Sequence, residues 1–224
     1  MTAITAPAPN WPRPRGLLLD AMGTLIGLRA SVGATYAAVA AEHGIDVAPA
    51  AIDGAFPGVL RQAPPLAFPG LDGDRLLEAE RGWWGERIDA VLAAAGAVEP
   101  GTSAPMALHH ALFDRFADPF LWRVYPDVRA ALHRWHGAGL RLAVVSNFDR
   151  RLPPLLEGLG LADLFETIVV SSSAGAAKPS PEPFRIALEC LGLGATEVWH
   201  VGDSPEDGAG ARAAGVRCLL VRRP

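Results

Sequence analysis

The clearest pattern along the chain is a series of short apolar runs, each ending in a polar residue. Gly16-Leu17-Leu18-Leu19-Asp20 is the first, Leu140 to Ser146 the second, Thr167 to Ser171 the third and Val198 to Asp203 the fourth. Val216 to Val221 has the look of a fifth. Continuous apolar stretches of this length suit strands covered on both faces, as in a parallel sheet. Between the later runs the apolar period changes to that of a helix. Val128, Ala131, Leu132 and Trp135 recur at helical spacing, with Gly137 and Gly139 ending the run. Leu152 to Leu159 and Phe184 to Leu191 supply two more helices. Strands alternating with helices predict an α/β fold, a Rossmann-like doubly wound parallel sheet. In such sheets ligands bind at the carboxyl ends of the strands. Asp20, Ser146, Ser171 and Asp203 all fall there.

The residues from 28 to 122 have a different character. Ala30 to Glu42 reads as a helix ended by Gly44, Arg75 to Ala95 as a long helix carrying Trp83 and Trp84, and Pro105 to Phe116 as a third. A stretch rich in Pro and Gly, Pro57 to Gly73, separates the first from the second, and no strand alternation is visible. The expected organisation is an α/β core of 16–27 and 123–224, interrupted by an inserted α-helical cap domain, 28–122, hinged near Gly27 and Trp122. Residues 1–15, with Pro7, Pro9, Pro12 and Pro14, are expected to be a disordered leader.

Bulk properties narrow the function. The 224 residues carry a formal net charge of −4, half of them are hydrophobic and 20% are charged. That is ordinary for a globular protein, long enough to bury a core. A sequence pI of about 5.9 gives no footprint for nucleic acid or for an anionic membrane. No apolar run approaches a membrane span. Cys190 and Cys218 are expected to be free thiols in a reducing, cytoplasmic setting.

Four polar clusters follow the strands. Asp20 opens the segment Ala21-Met22-Gly23-Thr24-Leu25; an ionised carboxylate at a strand end can attack phosphorus or carbon, or simply cap a turn. Ser146-Asn147 offers a hydroxyl and an amide. Lys178-Pro179 offers a cation able to offset a carboxylate and a phosphate. Gly202-Asp203-Ser204-Pro205-Glu206-Asp207 places two carboxylates four residues apart around a turn. Together with Asp20 these form a set of oxygen donors suited to a hard divalent cation.

The order LLLDAMGTL, VVSN, KP and VGDSPED resembles the four motifs of the haloacid dehalogenase-like hydrolase superfamily, in the branch with a helical cap after the first motif. The resemblance implies Asp20 as nucleophile and Lys178 as the second catalytic group, holding the transferred phosphoryl. It implies Mg2+ bound by Asp20, the Met22 carbonyl and Asp203, with Asp207 in support. Thr24, Ser146 and Asn147 would orient the nucleophile and the phosphate of a small phosphorylated substrate.

The chain departs from the pattern at two places. Phosphatases of the superfamily carry a second Asp two residues after the nucleophile; here that position is Met22, and a thioether transfers no proton. General acid–base catalysis of this kind contributes about 10²–10⁴-fold. Ser173 stands where relatives often have Glu. Three readings follow: a magnesium-dependent phosphohydrolase, slow or restricted to good leaving groups; a weak or inactive ligand-binding or partner-binding relative; or a hydrolytic 2-haloacid dehalogenase. Asp203 speaks against the last, since a second carboxylate beside Asp20 would repel an anionic haloacid.

Several features read as structural. Gly208 to Ala213 has the shape of a dinucleotide fingerprint, but the preceding strand ends at Asp203, so close helix packing is expected instead. His133 and His136 are expected on a solvated helix face, and His200 in a structural hydrogen bond. Trp83 and Trp84 are expected to fill the interior of the cap. Arg141, Arg150 and Arg151 are expected to be surface charges, the last two close enough to Asn147 to rim the site.

Overall fold

The computed structural model describes residues 12–223. Most of the expected leader lies outside that range. Arg15 is already tied in: its N–H donates to the Glu197 carbonyl at 2.7 Å, and its carbonyl accepts from Arg141 N–H at 3.0 Å.

The chain begins with β1 (Gly16–Leu19) and, after a tight loop, β2 (Ile26–Leu28). Four helices follow: α1 (Val32–Glu42), α2 (Pro49–Gln62), α3 (Gly73–Ala94) and α4 (Met106–Arg115). The chain then returns through β3 (Trp122–Val124), α5 (Val128–Gly137), β4 (Arg141–Ser146), α6 (Leu152–Gly158) and β5 (Thr167–Val170). It ends with α7 (Ser171–Ala174), α8 (Glu182–Leu191), β6 (Val198–Gly202), α9 (Pro205–Ala213) and β7 (Arg217–Leu220).

The five longer-range strands form one parallel sheet in the order β5-β4-β1-β6-β7. Side chains of successive strand residues point to opposite faces, and both faces are apolar here. Leu17, Leu19, Leu142 and Val144 join the cluster that includes Val128, Leu132 and Leu155. Leu18, Ala143 and Val145 join the cluster with Phe184, Leu188 and Ala211. Helices therefore cover the sheet on both sides, which is why the strands read as unbroken apolar runs. Gly210 lies in this packing: a Cβ there would stand 2.6 Å from the Phe184 ring. The fingerprint-like glycines of α9 thus serve close helix packing.

The helices α1 to α4 share their own core, built around Tyr36, Val39, Ile52, Ile88, Leu92, Leu108 and Leu112. Helix α2 was not expected, because Pro57 lies inside it. Proline removes one helical hydrogen bond. The loss is offset by tight packing on α1, where Gly33 leaves no room for a Cβ against the Pro49 carbonyl and its N–H donates to Asp53 at 2.7 Å.

The two crossings between core and helices are paired as an antiparallel ribbon, with Gly27 opposite Arg123 and Leu28 opposite Trp122. This ribbon was also missed: three-residue strands have no period to read. Gly27 is required there because the Tyr125 hydroxyl occupies the space of a Cβ, 2.6 Å away.

Candidate functional site

The site grows from the carboxyl ends of β1, β4 and β6. Asp20 directly follows β1, and its N–H still donates to the Val201 carbonyl at 2.9 Å, so its backbone is held by the sheet. The chain then turns sharply, with the N–H groups of Leu25 and Ile26 both donating to the Ala21 carbonyl. Gly23 sits in the left-handed region, φ 81°, where a side chain is strained.

Three donors and acceptors define the centre. Ser146 Oγ donates to Asp20 Oδ1 at 3.0 Å. Lys178 Nζ donates to the same oxygen at 2.7 Å, to Asp207 Oδ1 at 2.6 Å and to the Val145 carbonyl at 3.0 Å. The ammonium is buried with all three donors used. Burial alone would lower its pKa, but the charges of Asp20 and Asp207 outweigh it and hold it above the ordinary lysine value.

Asp207 is fully buried and saturated. Oδ1 accepts from Lys178 and faces His200 Nε2 at 2.7 Å, while Oδ2 accepts from Ser204 Oγ at 2.7 Å and from the N–H groups of Ser204 and Asp203 at 3.0 and 3.2 Å. Asp207 N–H donates back to Ser204 Oγ at 3.2 Å, which makes Ser204 and Asp207 the capping box of α9. Burial pushes the carboxyl upward, but the hydrogen bond from His200 and the charge of Lys178 prevail and hold it far below the usual carboxylate range.

Asp203 is the contrast. It is exposed, and among the described residues its carboxylate makes no salt bridge, Lys178 being engaged with the other two. Partial burial, then the neighbouring charges of Asp20 and Asp207, push its carboxyl above the usual range. One oxygen from each of Asp20, Asp203 and Asp207 lies within 4.8 Å of the others.

The expected site residues are brought together unequally. Asp20, Ser146, Lys178, Asp203 and Asp207 converge. Asn147 lines the same cavity, but its amide is spent on the lysine loop: Nδ2 donates to the Lys178 carbonyl at 3.0 Å, and Oδ1 accepts Lys178 N–H at 2.7 Å. Thr24 stands apart. It is buried, its hydroxyl has no hydrogen-bond partner among the described residues, and it lines a second cavity on the α5 side with Asp127 and Trp135, because the turn at Gly23 carries the chain away from Asp20. Met22 is 45% exposed and borders the main cavity.

That cavity, about 810 Å³, runs from Asp20 and Asp203 to the helices α1 to α4. Trp83 and Trp84 line it, whereas they were expected inside the helical packing. Arg151 is also not a surface charge. It is buried, with Nε 2.8 Å from Asp149 Oδ1, Nη2 2.6 Å from Asp149 Oδ2 and Nη1 2.8 Å from the Phe113 carbonyl. Trp84 Nε1 donates to Asp149 Oδ2 at 2.7 Å. Arg150 Nε pairs with the buried Glu80 of α3 at 2.9 Å. The segment after β4 is thus bound to α3 through charged groups.

Of the residues that the sequence did not mark, Ser204 had a readable signal, the S-x-x-D spacing of a capping box at the start of a helix. His200 was expected to make a structural hydrogen bond, and it does, with Nδ1 donating to the Leu18 carbonyl at 3.1 Å. Glu80 gave no signal, since its partner Arg150 is distant in the chain, and neither did Asp149, whose pairing with Arg151 is fixed by the remote Trp84 and Phe113. His133 and His136 are exposed as expected, and both cysteines are free.

A family model described as haloacid dehalogenase-like hydrolase matches residues 14–215. The haloacid dehalogenase-like hydrolase domain-containing protein 3 of Bos taurus is 36% identical over 211 residues, 94% of this chain and 82% of that protein. A plasmid-encoded phosphoglycolate phosphatase of Cupriavidus necator is 44% identical over 103 residues, 46% of this chain and 45% of that one. CbbY of Rhodobacter sphaeroides, solved in complex with phosphate, superposes with a TM-score of 0.66 at 21% identity, covering 94% of this chain and 87% of its own. At that identity the likeness speaks for the fold.

Proposed function

The chain belongs to the haloacid dehalogenase-like hydrolase family, and we propose that it is a magnesium-dependent phosphohydrolase that forms an aspartyl-phosphate on Asp20 from a small phosphorylated substrate. The observation that carries this reading is the division of labour among the three carboxylates. Lys178 bridges Asp20 and Asp207, and Asp203 makes no ion pair among the described residues and has those two carboxylates as neighbours. A cation is the missing complement.

The donor set fits magnesium, which takes oxygen ligands and retains waters. Asp20, Asp203 and the Met22 carbonyl would hold it. Asp207, with both oxygens engaged, supports the site by fixing Lys178 and the Asp203 loop. Bound there, magnesium would offset the charge gathered on the carboxylates and the phosphoryl oxygens.

The side chains then divide the work. Ser146 and Lys178 both hold Oδ1 of Asp20, which leaves Oδ2 as the attacking oxygen. Lys178, fixed by Asp207 and Val145, presents its charge beside that carboxylate and beside the incoming phosphoryl group. Asn147 keeps the lysine loop in register. Residues 28–122 act as the cap, and their helices exclude water from the reacting atoms. The phosphatase relative that matches 46% of the chain supports phosphoryl chemistry over halide release.

The test is magnesium-dependent release of phosphate from acetyl phosphate, which needs no protonated leaving group. Turnover that chelation and Asp20→Asn both abolish is the expected result. A protein that takes up no magnesium in a calorimetric titration and releases no phosphate would refute the reading.

A further inference from the structure

We propose that the substrate of this site is an aryl monophosphate, the phosphate ester of a phenol with a bulky apolar ring system. The inference rests on the phosphohydrolase reading and adds the leaving group to it.

Two observations carry it independently. The first is the wall of the cavity opposite Asp20. Tyr36 of α1, Phe56 and Leu60 of α2, Trp83 of α3 and Phe113 and Phe116 around α4 line it. The indoles of Trp83 and Trp122 and the guanidinium of Arg151, on or behind that wall, are already satisfied by the protein. Trp83 Nε1 donates to the Pro64 carbonyl at 3.1 Å and Trp122 Nε1 to the Phe116 carbonyl at 3.1 Å. Arg151 is held by Asp149 and the Phe113 carbonyl, with its guanidinium carbon 3.9 Å from the Phe113 ring centroid. What faces the cavity is mostly carbon. A polyhydroxylated leaving group would lose its hydration there and find few polar partners, the Tyr36 hydroxyl and Arg61 among them, at substantial cost per unpaired hydroxyl. A flat apolar ring system would exchange water for aromatic edges and faces.

The second observation is Met22, which borders the same cavity two residues after Asp20 and has no proton to give. A phenol ionises near ~10, as tyrosine does. A phenolate therefore departs without the proton that an aliphatic alkoxide needs. Wall and chemistry select the same class of leaving group.

The steps balance as follows. Asp20 Oδ2 forms a bond to phosphorus, the bond from phosphorus to the phenolic oxygen breaks, and the phenolate leaves with the electron pair and takes a proton from solvent. Water then attacks the phosphorus of the aspartyl-phosphate. The bond to Oδ2 breaks, its electron pair returns to Asp20, and the water's proton passes to the released phosphate.

The experiment compares phenyl phosphate with 1-naphthyl phosphate, whose phenols are of similar acidity, using the full chain with magnesium. Burial of the second ring is expected to raise kcat/KM about tenfold, mainly through KM. The naphthyl-to-phenyl ratio is expected to fall towards one in Phe56→Ala and in Leu60→Asn, either of which suffices if the other does not fold. A sugar phosphate is expected to fall far below both esters. A ratio at or below one in the native protein, or a high ratio that neither variant lowers, overturns the aryl assignment and leaves the phosphohydrolase reading standing. Absence of Asp20-dependent release from acetyl, phenyl and naphthyl phosphate alike overturns both.

Discussion

The carboxyl group of Asp203 occupies the space that a side chain on residue 23 would need: its three terminal atoms all lie within 3.0 Å of the position a Cβ on Gly23 would take. The glycine therefore does two things at once. It adopts the left-handed turn after Asp20, and it lets the carboxylate that follows β6 approach the one that follows β1. Gly23→Ala is expected to push Asp203 out of the cluster and weaken magnesium binding by about 10–100-fold, the range typical for disturbing the support of a ligand. Isothermal titration of the folded variant measures this. An unchanged affinity would mean that Asp203 does not belong to the metal site.

Met22→Asp tests the missing proton donor. A carboxylic acid at this position should raise turnover of alkyl phosphates by about 10²–10⁴-fold, the usual worth of general acid–base catalysis. Acetyl phosphate should gain little in the first step, because its leaving group departs as a stable anion. The comparison is a ratio of kcat/KM for the two substrate types in each protein, which reports formation of the aspartyl-phosphate and not its shared hydrolysis. An equal gain on both would point to an effect on binding or folding instead of proton transfer.

Much of this arrangement was legible in the chain itself. Four of the five sheet strands could be read because burial between helices leaves a mainly apolar run, and the chemistry could be read because each of those four runs ends in a polar residue at the edge where parallel sheets bind ligands. The remainder had no local signature. Helix α2 was hidden by Pro57, whose penalty is offset by contacts with α1 that no periodicity reveals. The ribbon between Gly27 and Trp122 joins residues more than ninety positions apart. Arg151 looked like a surface charge because nothing near it in the chain reveals Phe113 and Trp84 closing around it. Trp83 illustrates a different limit: an apolar helix face is the same pattern whether it meets another helix or a cavity.

Lys178 bridges two carboxylates in a buried setting, so its removal should be costly to the fold as well as to activity. Lys178→Met leaves Asp20 without its cation and removes one of the partners of Asp207, and a loss of about 3–5 kcal/mol in stability is expected from breaking such a pair. The double variant Lys178→Met with Asp20→Asn should lose less than the sum of the two single changes, since the residues share one interaction. Urea unfolding of the four proteins in chelator reads the coupling. Strict additivity would mean that the pair contributes nothing to the fold.

The two thiols should differ in reactivity. Burial, then the charge of Asp207, pushes Cys218 up to about 11, whereas Cys190 is exposed. Only the thiolate is nucleophilic. At pH 8, iodoacetamide should modify Cys190 well before Cys218, as peptide mass mapping over time would show. The linked effect on stability has a definite sign: the thiol's folded value lies above its ordinary 9.0, so its contribution is complete below that pH and is lost as pH rises through about 11. Equal labelling rates would contradict the burial.

The pair between Glu80 and Arg150 ties the helical segment to the loop after β4, and its acid is not an ordinary one. Burial raises the Glu80 carboxyl above 4.5, against the opposing hydrogen bond from the Arg150 backbone and the Arg150 charge. A folded value above the unfolded one means that the folded chain binds the proton more tightly. The stabilisation this gives is complete below pH 4.5 and declines as pH rises through the shifted value. Glu80→Gln is uncharged throughout and lacks that titration. It also leaves Arg150 without its carboxylate partner, a loss that the pH does not alter on the arginine side. The stability of the native protein minus that of the variant should therefore shrink between pH 4.5 and neutrality, measured by urea unfolding in parallel at each pH. A difference that grows with pH would show instead that the ion pair outweighs burial and that the carboxyl is held below its ordinary value.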